Sequence, residues 1–125
     1  MKYESDYIKW KNWQERFGNF GPGESFYFDR IFNKPKNLDI LEVGFGNGEL
    51  LTYLNKKNRV IGVELNEQLV KKANEQGIKS FNSFTKVNDS FDIIVAFDVC
   101  EHMDYSELLV FFEWLSNHLN QNGVI

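Results

Sequence analysis

Residues 40–50 read ILEVGFGNGEL, with Gly44, Gly46 and Gly48 at alternate positions straight after a short apolar run. Glycine lets a backbone approach a ligand closely and take up φ > 0, where a side chain would clash. Two carboxylates flank the loop, Glu42 before it and Glu49 after it. A dinucleotide would require G-x-G-x-x-G, with its pyrophosphate over the start of the next helix. Here the sixth position of that frame is Glu49, whose charge would repel a pyrophosphate. Two further acids close apolar runs: Glu64 ends VIGVE and Asp98 follows FDIIVAF, with His102 four residues on. Each also has a plain structural explanation. The glycines would permit tight helix–strand packing, Glu64 or Asp98 would cap a turn, and His102 would sit near a helix start as a surface residue.

These groups need elements to carry them. LDILEV (38–43), RVIGVE (59–64) and FDIIVAF (91–97) are continuous apolar strands, and IKSFNS (78–83) is a weaker one. Between them GNGELLTYLNKK (46–57) and NEQLVKKANEQ (66–76) carry helical patterns, the second stopped by Gly77. Asp104 with Glu107 forms a capping box before the helical stretch DYSELLVFFEWLSNHLN, and NGVI, turning through Gly123, begins a fifth strand. Strands apolar throughout, alternating with helices, imply a parallel sheet covered on both faces. The fold class is therefore α/β, a doubly wound, mainly parallel, Rossmann-like sheet. Its ligand site is expected at the carboxyl ends of the strands, where Gly44–Gly48, Glu64 and Asp98 all fall.

Before this core, Tyr3, Tyr7, Trp10, Trp13 and Phe17 recur at helical spacing. GNFGPGE (18–24) breaks that helix, SFYFDRIF (25–32) resumes as a short one, and NKPKN is a loop. We divide the chain into an N-terminal helical cap, 1–37, and an α/β core, 38–125. The aromatic helix either covers the sheet or closes over a substrate as a lid.

The motifs, taken together, resemble class I S-adenosylmethionine-dependent methyltransferases of the small-molecule or sugar-modifying type. Glu42-Val43-Gly44-Phe45-Gly46-Asn47-Gly48 matches their E/D-x-G-x-G-x-G loop, VIGVE their second strand, FDIIVAFDVCEHM their fourth, and NQNGVI the lead into their fifth. The resemblance covers residues 38–125 and implies S-adenosylmethionine as cofactor, with S-adenosylhomocysteine as product. It assigns Glu42, Gly44, Phe45, Gly46 and Gly48 to cofactor binding, with Gly44 and Gly46 letting the backbone approach the methionine moiety and Glu42 holding the loop or binding the amino group through water. It gives Glu64, with Leu65 beside it, to the ribose diol, where a carboxylate accepts two charge-assisted hydrogen bonds. Asp98 lines the cofactor or acceptor site. The adenine end departs from the family, whose members often carry an Asp after strand three; this chain has Asn82, Ser83 and Phe84, so that Asn82 would accept from the base and Phe84 stack on it. A cationic sulfonium without phosphates also suits an acid-flanked loop. His102 is the candidate general base for a hydroxyl acceptor.

Composition narrows the rest. In 125 residues, 42% are hydrophobic and the formal net charge is −4, which argues for one cored domain and against general affinity for nucleic acid. The single Cys100 forms no internal disulfide and fits a reducing compartment, and no run suits a signal peptide or a membrane span, so a cytoplasmic location is expected. His118 and Cys100 read as structural, and no metal-ligand spacing occurs. The family fold has seven strands, so the chain is cut short, a fragment, or an incomplete domain; its exposed sheet edge would favour a dimer. The acceptor is expected to be a small molecule or sugar, such as the sugars of surface polysaccharides or other small metabolites. The rival readings are a non-catalytic S-adenosylmethionine-binding module, an inactive fragment, and a nicotinamide-binding oxidoreductase.

Overall fold

The computed structural model describes residues 16–125. The aromatic stripe from Tyr3 to Trp13 lies outside them; Phe17, its last member, is buried. The elements are α1 (Pro22–Phe32), β1 (Asp39–Val43), α2 (Glu49–Asn55), β2 (Arg59–Val63), α3 (Glu67–Glu75), β3 (Ser80–Phe81), β4 (Phe91–Val95), α4 (Tyr105–His118) and β5 (Leu119–Val124), with 3-10 turns at Phe84–Lys86 and Cys100–His102. All five strands are parallel, in the order β3-β2-β1-β4-β5.

The chain thus winds outward from β1 in one direction through β2 and β3, then restarts on its other side with β4 and β5. Such a reversal leaves a crevice between the carboxyl ends of the two strands where it occurs, here β1 and β4. Packing follows the period of the strands. Ile40 and Val60 join Leu51, Leu54, Leu69 and Ala73 in a core layer beneath α2 and α3. Leu41, Ile61 and Ile94 face the opposite layer, closed by Phe111 and Leu115 of α4. The doubly wound sheet expected from the continuous apolar runs is what forms.

Local signals set most helix starts. Asn66 caps α3, its side chain accepting from the amides of Gln68 and Leu69 at 3.0 and 3.1 Å. Asp104 and Glu107 exchange capping bonds of 2.8 and 2.9 Å at the head of α4, as the capping box requires. Three boundaries differ from expectation. Helix α1 begins inside the segment read as a breaker, because Pro22 suits a first helical turn and Glu24 reaches back to the Gly21 amide at 3.0 Å. Strand β3 shrinks to Ser80–Phe81, since pairing with β2 involves only Gly62 and Val63. Helix α4 stops at His118, and Leu119 turns to extended backbone at once, so Gly123 lies within β5 rather than in a turn before it.

Candidate functional site

The loop between β1 and α2 holds Gly44, Gly46 and Gly48 at φ of 77°, 55° and 77°. All three lie in the left-handed region that residues with a Cβ rarely adopt. The loop is tied down at each end. The Gly44 amide donates to the Val63 carbonyl at 2.7 Å, and the Gly48 amide to the Phe45 carbonyl at 2.9 Å. At its centre the Gly46 amide donates to Glu64 Oε2 at 3.0 Å, while Glu64 Oε1 accepts from the Asn66 amide at 3.2 Å. Glu64, only 1% exposed at the end of β2, therefore clamps both the glycine loop and the start of α3.

Two clefts open at the carboxyl ends of the strands, and Gly44 borders both. The first, about 340 Å³, is a largely apolar slot walled by Val43, Val63, Leu65, Phe84, Met103 and Val110, with Glu64 and Ser83 at its edge. Phe84 is backed by Phe111 and Trp114, at centroid distances of 5.2 and 5.4 Å, which fixes its ring as a wall. The second, about 750 Å³, is the more polar of the two, and its lining includes Glu42, Gly46, Asp98 and His102 together with Tyr27 and Phe97.

Glu42 shares a face of β1 with Ile40 but ends in the polar cleft. It is 6% exposed, and its Oε1 has no hydrogen-bond partner among the described residues. Burial, and then the neighbouring Glu64 carboxylate, push its pKa from 4.5 to about 8. Burial also raises the Glu64 pKa, against the pull of the amides that bond to it. A buried acid lacking a donor is costly unless a ligand supplies one. The site is therefore a glycine loop with a bare acid on its polar side and an apolar slot on the other.

Residues 24–125 match the family described as Methyltransferase domain. The chain belongs to that family. No curated protein matches it. Among solved structures, a TehB-like S-adenosylmethionine-dependent methyltransferase from Corynebacterium glutamicum is similar at a TM-score of 0.68 and 23% identity, over 94% of this chain and 67% of that one. An S-adenosylmethionine-dependent methyltransferase from Clostridium acetobutylicum gives 0.66 and 21%, over 95% and 55%. Another from Thiobacillus denitrificans, in complex with S-adenosyl-L-homocysteine, gives 0.62 and 17%, over 99% and 55%. These likenesses are of fold, and the chain spans about half the length of the latter two proteins.

Within this methyltransferase domain, most of the residues expected at the site do converge. Glu42, Gly44, Gly46 and Asp98 border the polar cleft, as does His102, whose Nε2 is 3.5 Å from Glu101 Oε1. Glu64, Leu65 and Ser83 border the apolar slot. Asp98 holds a left-handed backbone at φ 55° and is exposed at the cleft.

Three expected residues are placed otherwise. Phe45 touches the polar cleft, but its ring is buried against Phe17 and lies over Gly62, where a Cβ would come within 2.8 Å of it. Gly48 borders neither cleft; a Cβ there would lie within 2.9 Å of three atoms of the Phe17 ring, so its glycine is required by packing as well as by φ. Asn82 is outside the slot, with its Oδ1 accepting from Lys86 Nζ at 2.7 Å and its Nδ2 donating to Glu67 at 3.3 Å.

Sequence reasoning missed Met103, which follows the Cys100–His102 turn, and Ser106 and Val110 of α4, all on the slot, and Tyr27 and Phe28, which α1 brings to the polar cleft. The capping box at Asp104 was the available signal for the first group, since it fixes where α4 starts relative to the end of β4. The second group had a weaker one, the aromatic density of SFYFDRIF. His118 is structural as expected: its ring stacks on Trp114 at 4.0 Å and its Nδ1 bonds the Trp114 carbonyl. Among the described residues, no helix is long and apolar enough to cross a membrane.

Proposed function

We propose that this methyltransferase domain binds S-adenosylmethionine across the two clefts and serves methyl transfer to a small-molecule or sugar acceptor. The observation that carries the reading is Glu42 Oε1, a buried acceptor with no donor among the described residues, beside a glycine loop whose Gly44 borders both the polar cleft and the apolar slot. The residues fit the cofactor's chemistry. Glu42 would receive its ammonium group, Gly44 and Gly46 would let the backbone approach its amino-acid chain, and Phe84, Val63 and Val110 would enclose the adenine. Glu64 would meet the ribose diol with the lone pairs its two amide donors leave free.

When bound, the cofactor supplies a methyl carbon already activated by its sulfonium. The chain's own contribution is then alignment of the acceptor against that carbon. Where the acceptor is a hydroxyl, His102 at the polar cleft takes its proton, and Glu101 orients the ring. Asp98 bounds the acceptor on the β4 side.

Titration calorimetry with S-adenosylmethionine, S-adenosylhomocysteine and NAD tests the reading. Binding of the first two and not of NAD is expected, with loss of most affinity in Glu42→Ala. A folded chain that binds neither sulfur compound, or that binds NAD tightly, would overturn it. Binding without turnover of any acceptor, and no effect of His102→Ala, would instead favour the non-catalytic binding module.

A further inference from the structure

The polar cleft is larger than the slot beside it, and its walls are chemically one-sided. Glu49 at the head of α2 and Asp98 and Glu101 after β4 border it, and the buried Glu42 forms part of it. Among the described residues neither Lys nor Arg reaches it; His102 is its single basic side chain. Glu49 accepts from Asn47 Nδ2 at 2.7 Å, and Asp98 has no side-chain partner among the described residues. Two aromatic side chains stand on the same walls without being buried, Tyr27 at 61% exposure and Phe97 at 52%. The buried Oε1 of Glu42, without a partner among the described residues, lies in the same cleft and is the group given above to the cofactor's ammonium.

Resting on the cofactor reading above, we propose that the acceptor of this site is an organic amine that arrives as a cation. Several carboxylates around one mouth act on charge, concentrating cations and repelling anions. An acid or phosphorylated acceptor would find neither Lys nor Arg among the described residues of the cleft and three carboxylates to oppose it. Exposed aromatic faces add cation–π attraction for an ammonium group. A neutral sugar gains hydrogen bonds here but nothing from the field.

The transfer balances without a further reactant. The ammonium gives one proton to the His102 ring nitrogen, which passes it to solvent, and this frees the nitrogen lone pair. That pair forms the N–C bond to the methyl carbon as the C–S bond breaks, its electrons leaving on sulfur to give S-adenosylhomocysteine.

The test is equilibrium binding of benzylamine, benzoate and methyl glucoside to the whole chain, alone and saturated with S-adenosylhomocysteine, at low and moderate salt. Benzylamine is expected to bind best, more weakly as salt rises, and about tenfold more weakly in Glu101→Lys. That variant should begin to admit benzoate while keeping its affinity for S-adenosylhomocysteine and its melting temperature. Glu101→Gln should give an intermediate loss for benzylamine, and Tyr27→Leu a further one. Methyl glucoside binding above benzylamine, benzoate binding equally well, or indifference of benzylamine to Glu101→Lys would overturn the proposal. Failure of S-adenosylhomocysteine to bind would count against the cofactor reading alone, because benzylamine binding to the unliganded chain still decides this one.

Discussion

Glu64 Oε2 accepts the amide of Gly46 across 3.0 Å, in the buried space between the ends of β2 and β1. One carboxylate thereby joins a glycine loop, a strand end and, through Asn66, the first turn of the next helix. Glycines at positive φ are free to move in the absence of a tether. The Glu64 clamp holds the Gly46 amide in place before any ligand arrives, so the loop's shape is set by the fold.

Replacing Glu64 by Ala should therefore weaken folding as well as ligand binding. It strands the Gly46 and Asn66 amides, at about 1–3 kcal/mol for each one that finds no water. Glu64→Gln keeps one oxygen acceptor and should lose less. Thermal unfolding of the two variants beside the parent measures this; an Ala variant melting with the parent would show that the clamp contributes nothing to stability.

Glu42 gives the folded chain a pH dependence of definite sign. Its pKa is raised from 4.5 to about 8, so the folded chain keeps a proton that the unfolded chain releases. The resulting stability is fully present below about pH 4.5 and is lost as pH rises through about 8, and the upward shift at Glu64 acts in the same direction. Denaturant unfolding across that window should show declining stability for the parent and a flatter profile for Glu42→Gln. Binding of a cation reverses the preference, since it favours ionised Glu42. Affinity for S-adenosylmethionine should thus rise with pH over the same range, with proton release that makes the calorimetric enthalpy depend on the buffer.

Gly48 and Phe17 form a packing pair that a double-mutant cycle should detect. Gly48→Ala places a methyl group against the Phe17 ring and forces an alanine to φ 77°. The backbone component alone is about 1–2 kcal/mol. In a Phe17→Ala background the steric component vanishes, so the second penalty should fall to roughly that backbone value. Strict additivity in urea unfolding would show that the ring and the glycine are independent.

The sheet was largely legible in the sequence because its signals are local. LDILEV, RVIGVE and FDIIVAF are apolar at most core positions, Glu42 and Glu64 excepted, and Asn66 and Asp104 mark their helix starts by side-chain chemistry that acts within three residues. Where such signals were weak the boundaries moved: β3 has few partners, and α4 gives way to β5 at Leu119 because strand pairing with β4 competes with helix continuation.

The chain's own order of residues determined that glycines, Glu64, Asp98 and His102 would gather at one end of a parallel sheet, because each follows a strand and parallel strands all end on the same side. Only the tertiary structure decided what each of them touches. Phe45 turns inward because Gly62, on the neighbouring strand, leaves room for its ring. Asn82 turns away because Lys86 and Glu67 hold it. Glu42 Oε1 is left without a donor among the described residues because β1 carries it to the crevice where the sheet reverses. Strand ends are a matter of sequence; burial and partnership depend on which segments meet, and distant residues set those.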